Sequence, residues 1–188
     1  MDKPNKINEL IEDKARSLVQ RRARPLATPT DLKAAATKDI AGVMNVILAD
    51  VFAMYFKTKN FHWHMSGPHF RDYHILLDEQ ADQIYAAIDP LAERVRKLGG
   101  KTLRSISHIA ELSRIKDDDR EFVPPLEMLQ ELVTDNMSVA ANLRAAHKVC
   151  DDNDDVASAS LLEIYIDETE RRTWFLFEAS RDADSGGN

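Results

Sequence analysis

The stripe Ile40, Val43/Met44, Ile47, Val51, Met54/Tyr55, Thr58, His62 keeps helical spacing for about eight turns and commits this part of the chain to one long amphipathic helix. Thr30 is the expected N-cap with Asp31 in the first turn, and the Ser66-Gly67-Pro68 break ends the helix near Met65. A stripe of that length is buried only by lengthwise packing against partners of similar length. The sequence supplies three. One runs from about Asp72 to Leu98 and closes on Gly99-Gly100, one from Pro124 to about Asp151, and one from about Asp155 to Arg181. Residues Ser105 to Ile115 predict a short helix inside the long second-to-third connection. Helices of roughly 28 residues are about 40 Å long, and a long connection between the second and third allows a crossover. The expected fold class is therefore all-α, a four-helix bundle with a short extra helix in the crossover.

Composition agrees with one such domain: 188 residues, 44% apolar, 30% charged and only six glycines. Residues 30–181 are read as the bundle, 1–29 as an arm and 182–188 (DADSGGN) as a disordered tail. The arm holds helical apolar spacing over residues 6–23 until Pro25 and Pro29 break it. It carries seven Lys/Arg against four Asp/Glu, so the rest of a chain of net charge −7 is strongly acidic and argues against a globally basic nucleic-acid binder. With one cysteine, Cys150, there is no internal disulfide framework, and the charged N-terminal stretch lacks the apolar core of a secretion signal. No apolar run approaches the roughly 20 residues a membrane span needs, so a cytoplasmic, non-membrane protein is expected.

Chemistry concentrates in FHWHMSGPHFRDYHILLDEQADQIYAAIDPLAER, which holds four of the six histidines. His74 and Asp78 are four residues apart, as are Asp89 and Glu93, so each pair shares a face of the second helix and can grip one ion. Imidazoles with hard carboxylates, and no thiolate, suit iron, manganese or zinc. Asp78 and Asp89 are eleven residues, or about 16 Å, apart along a helix, too far to share an ion within one chain. Two copies packing their second helices antiparallel about a two-fold axis would set His74/Asp78 of one against Asp89/Glu93 of the other, with His62 completing each site. The rival is an in-bundle di-iron centre, whose mark is Glu-x-x-His. The residues three before each histidine are Lys59, Phe61, Ser66, Arg71, Ser105 and Arg144, none of them Glu.

The run His62-Trp63, Gly67, Phe70, His74, Asp78, Asp89, Ala92-Glu93-Arg94, Leu98-Gly99-Gly100 resembles the signature of the Dps family, the miniferritins of the ferritin-like superfamily. The resemblance extends over about residues 35–180 and covers all five ligand positions. Ser66 stands where many members carry a basic residue, a departure that leaves the ligands intact. The resemblance implies a hollow homododecamer that oxidises Fe(II) to Fe(III), typically with hydrogen peroxide, stores ferric mineral and protects DNA from oxidative damage. His62, His74 and Asp78 would serve from one subunit, Asp89 and Glu93 from its two-fold mate. It also implies an iron-entry pore, for which Asp151, Asp152, Asp154, Asp155 and Glu163 are candidates, with Asp167 deeper. The same acids read plainly are a solvated turn. Lys14, Arg16, Arg21, Arg22 and Arg24 are candidate DNA-phosphate contacts, which would make the protein nucleoid-associated; packing of the arm against a shell is the alternative. His64, His69, His108 and His147 read as structural, and Trp63 and Trp174 as packing residues. A non-enzymatic cage that coats DNA is the rival function.

Overall fold

The computed structural model describes residues 12–14, 16 and 26–181, all of whose regular structure is helical. Arg21, Arg22, Arg24 and the tail lie outside the described residues. The elements are α1 (Ala34–His64), α2 (Phe70–Lys97), the short α3 (Ile106–Leu112), α4 (Pro125–Asp151) and α5 (Val156–Ala179). α1 packs lengthwise on α2 and α4 on α5; α1 also meets α4 and joins the two pairs. The core is the predicted stripe, with Ile40, Met44, Ile47, Val51, Met54, Thr58 and His62 all buried, closed by Leu77, Ile84 and Leu91 of α2, Leu129, Leu132 and Leu143 of α4, and Leu162 and Leu176 of α5.

The crossover is tied to α1 along its length. Arg114 grips the fully buried Asp50 through both its guanidinium and its backbone N–H, Lys57 Nζ donates to the Lys116 carbonyl, and Asn60 Nδ2 donates to the Asp118 carbonyl. Each bond satisfies a polar group that burial would otherwise penalise. α2 runs through Pro90, which cannot donate to the carbonyl four residues back; burial of Ala87 and Leu91 on either side holds the helix together there.

Two expectations are corrected. α1 begins at Ala34, after Lys33, and Thr30 does not cap it: the Thr30 hydroxyl accepts from the Leu32 N–H two residues on, while Leu32 packs on the core. α1 also contains an 18-residue window of mean hydropathy 1.6, so a helix apolar enough to span a bilayer exists where none was expected. Half of that window is buried inside the bundle, where it supplies the core.

α2 ends in a Schellman motif, with Gly99 N–H donating to the Arg96 carbonyl and Gly100 N–H to that of Val95. Gly99 has φ +76, and a Cβ there would lie 2.8 Å from the Thr28 carbonyl oxygen. Gly99→Ala should therefore cost about 1–3 kcal/mol, read as a lowered melting temperature at matched protein concentration.

Candidate metal centre

His62 lies in the last turn of α1 and His74 in the second turn of α2, and the turn at Gly67 (φ +93) folds the two helices back so that the rings stack, centroids 3.7 Å apart at 21°. Each ring is fixed by the other's backbone. His62 Nδ1 donates to the His74 carbonyl at 2.8 Å, and His74 Nδ1 donates to the His62 carbonyl at 2.9 Å. With Nδ1–H committed in both rings, the neutral imidazoles carry their lone pairs on Nε2, which is how second-sphere hydrogen bonds ready histidines for a metal. His62 Nε2 lies 3.7 Å from Asp78 Oδ1. Phe70 packs on the His74 ring at 4.9 Å.

A residue that sequence reasoning passed over enters here. Lys59 Nζ donates to Asp78 Oδ1 and sits 3.9 Å from Asp82 Oδ1. That hydrogen bond holds the Asp78 carboxyl below the usual carboxylate range and the Lys59 ammonium above its own. The only available signal was that Lys59 precedes His62 by one helical turn.

Asp89 and Glu93 lie exposed farther along α2, and among the described residues Glu93 pairs with Lys97, at 3.2 Å. By helix geometry His74, Asp78, Asp82, Tyr85, Asp89 and Glu93 fall within about 100° of the α2 circumference. So His62 and His74 meet, with Asp78 Oδ1 3.7 Å from His62 Nε2, whereas Asp89 and Glu93 do not join them. Among the described residues no three of His, Cys, Asp or Glu gather closely enough in a single chain to hold a metal. Cys150 stays outside this chemistry: burial pushes its thiol up to about 11.

The acid-rich turn divides. Asp151, Asp154, Glu163 and Asp167 are exposed, with Glu163 3.1 Å from His147 Nε2 and Asp152 paired with Lys148 at 2.8 Å. Asp155 departs from the expectation. It is buried, caps α5 by accepting from the Ser158 N–H, and is gripped by Arg94 at 2.5 Å, so it is committed inside its own chain. In the arm, Lys14 and Arg16 are exposed and Arg16 pairs with Glu12 at 3.7 Å.

Trp63 and Trp174, read as packing residues, are 58% and 62% exposed in the single chain. Trp63 makes an edge contact with Phe56, and with Phe56, Phe70, Ile75 and Tyr85 it leaves large apolar area uncovered on α1 and α2. Met137, Trp174 and Phe177 do the same on α4 and α5. Exposed apolar area on two sides of one subunit is what contacts between copies would bury.

Residues 42–182 match the family model of the ferritin-like domain, so the bundle and the sequence together define a ferritin-like protein. A DNA protection during starvation protein of Brevibacillus brevis is 30% identical over 145 residues, 77% of this chain and 97% of that one. A low temperature-induced protein of Nostoc sp. is 33% identical over 139 residues, 72% of this chain and 78% of its own. DpsC from Streptomyces coelicolor shares the fold with a TM-score of 0.80 at 26% identity, over 83% of this chain and 91% of that one. Within the ferritin-like class, the chain belongs to the Dps family.

Proposed function

We propose that the chain is the subunit of a closed dodecameric shell that oxidises Fe(II) and stores the ferric product, with each oxidation site shared between two copies. One observation carries this reading: the His62 and His74 rings stack with His62 Nε2 3.7 Å from Asp78 Oδ1, while Asp89 and Glu93 lie on the same side of α2 but out of their reach. The register supports it further. The midpoint between His74 and Glu93 and the midpoint between Asp78 and Asp89 are the same point, between Gln83 and Ile84. An antiparallel crossing about a dyad there brings both cross-pairs into register at once and makes two equivalent sites.

In this reading Fe(II) is the substrate. Carboxylates from both chains stabilise Fe(III) over Fe(II) by charge, and the two Nε2 lone pairs complete the coordination. With hydrogen peroxide as oxidant, two Fe(II) give one electron each, the O–O bond breaks, and two protons complete two waters. Removing Fe(II) and peroxide together leaves less of either for radical chemistry, which fits a cytoplasmic role in protecting DNA. Exposed Asp151, Asp154, Glu163 and Asp167 are retained as cation-attracting candidates for an entry pore.

Light scattering at micromolar concentration should find the closed shell, and peroxide added to an Fe(II)-loaded sample should raise ferric absorbance. A monomer or an isolated dimer would overturn the shell.

The DNA-coating reading rests on the basic arm. If the arm holds phosphate, removal of residues 1–29 abolishes gel retardation, and binding by the intact protein falls steeply with salt as counterions are released. Retardation that ignores salt, or none at all, ends that reading and leaves iron oxidation standing.

A further inference from the structure

Arg172 of α5 carries a buried charge without an ion-pair partner among the described residues. It is 7% exposed, and its guanidinium makes only neutral hydrogen bonds: Nε donates to Asn136 Oδ1 of α4 at 3.2 Å, and Nη2 donates to Thr169 Oγ1 at 2.7 Å. Glu168, one turn back on α5, is near enough for its charge to act on the guanidinium but forms no ion pair with it. Burial pushes the guanidinium down to about 10, which leaves it charged at neutral pH. A buried charge of this kind is costly unless something compensates it.

Arg172 also lines a cavity of about 20 Å³ enclosed by all four long helices, with Met54, Ile84, Asn136, Tyr165 and Thr169 among its walls. That is room for one water or one monatomic ion, and too little for a polyatomic anion. The hydrogen bonds decide between the two. Asn136 Oδ1 and Thr169 Oγ1 already accept from Arg172, while the Asn136 amide donates to the Leu132 carbonyl and the Thr169 hydroxyl to that of Tyr165. The guanidinium nitrogen left without a partner among the described residues, Nη1, is a donor. A water needs acceptors for its own hydrogens as well as donors, whereas an anion needs donors alone and brings the missing charge.

We propose that this cavity holds a single halide ion, chloride under ordinary salt conditions, as the counter-ion of Arg172 in the core of each subunit. The ion sits where Arg172 and Asn136 join α5 to α4, so its binding stabilises the pairing of those two helices. The site is separate from the metal centre and stands whether or not that centre is shared between copies.

Crystals of the full-length protein grown in bromide test the site directly. An anomalous peak beside Arg172 in every subunit is the expected result, and a peak there without anomalous signal, which is a water, overturns the proposal. Stability is the second readout. With gluconate exchanged for chloride at constant ionic strength, the wild-type melting temperature should rise by roughly 3–6 °C for each tenfold in chloride once the site is half filled. Arg172→Met keeps the bulk, removes the charge and should show a flat response, with Arg172→Gln in its place if that variant does not fold. Glu168→Gln should respond at lower chloride than wild type, because it removes a like charge from the ion's surroundings. A bromide peak together with the same chloride response in wild type and in the Arg172 variant marks an adventitious ion only and overturns the proposal. So does a wild type that ignores chloride while Glu168→Gln loses stability, since Glu168 would then be the counter-ion.

Discussion

Shells in which every chain carries His74→Ala should lose most of their peroxide-driven Fe(II) oxidation, and shells of Glu93→Ala should lose as much, because each substitution strips one ligand from every site. The loss should exceed the roughly 10–100-fold that even the hydrogen-bond partners of a metal ligand are worth. Shells reassembled from a mixture of the two inactive proteins should regain part of the activity. When a His74→Ala chain pairs with a Glu93→Ala chain, one of their two sites lacks both ligands and the other lacks neither. An intra-chain site allows no such recovery, since every chain would keep its own defect. Ferric absorbance after peroxide addition measures the outcome, with the mixed composition established by mass spectrometry. Mixed shells as inactive as either parent sink the shared site and leave the fold untouched.

What the sequence made legible here was whatever depends on local spacing. The stripe from Ile40 to His62, the Gly99-Gly100 stop and the short helix after Ser105 are written within a turn or two of the residues they organise, and each stands close to where it was expected. That His74 and Asp78 share a face of α2 was legible for the same reason, whereas the stacking of His62 on His74 depends on α1 and α2 folding back on each other. The misreadings share the opposite cause. Thr30 has the chemistry of a cap, but Leu32 is drawn into the core and the hydroxyl serves the turn instead. Lys59 meets Asp78 only because α1 and α2 fold back on each other across nineteen residues. Trp63 and Trp174 were legible as packing residues but not as outward-facing ones, since no local pattern separates an apolar side chain that faces the bundle from one that faces outward. In the run Asp151, Asp152, Asp154, Asp155 the four acids look alike, and what sets Asp155 apart is an arginine sixty-one residues upstream.

That pair carries the largest expected effect on stability. Asp155 is 3% exposed and does three things at once: it caps α5, accepts from the Ser158 hydroxyl and neutralises Arg94, whose Nε also donates to the Ser158 Oγ. Arg94→Met keeps the side chain's bulk but leaves Asp155 a buried charge without a partner, and breaking a buried pair from one side costs about 3–5 kcal/mol. Asp155→Asn is milder, because the amide oxygen still caps the helix and Arg94 can reach solvent. The double variant is the informative one. With both charges gone there is nothing uncompensated to bury, so Arg94→Met with Asp155→Asn should be more stable than Arg94→Met alone, a coupling of about 1–3 kcal/mol. Urea denaturation of the four proteins at one subunit concentration gives the cycle. If the double variant is no more stable than Arg94→Met, the cost lies in packing rather than charge, and Asp155 is again free to be counted among the acids of the turn.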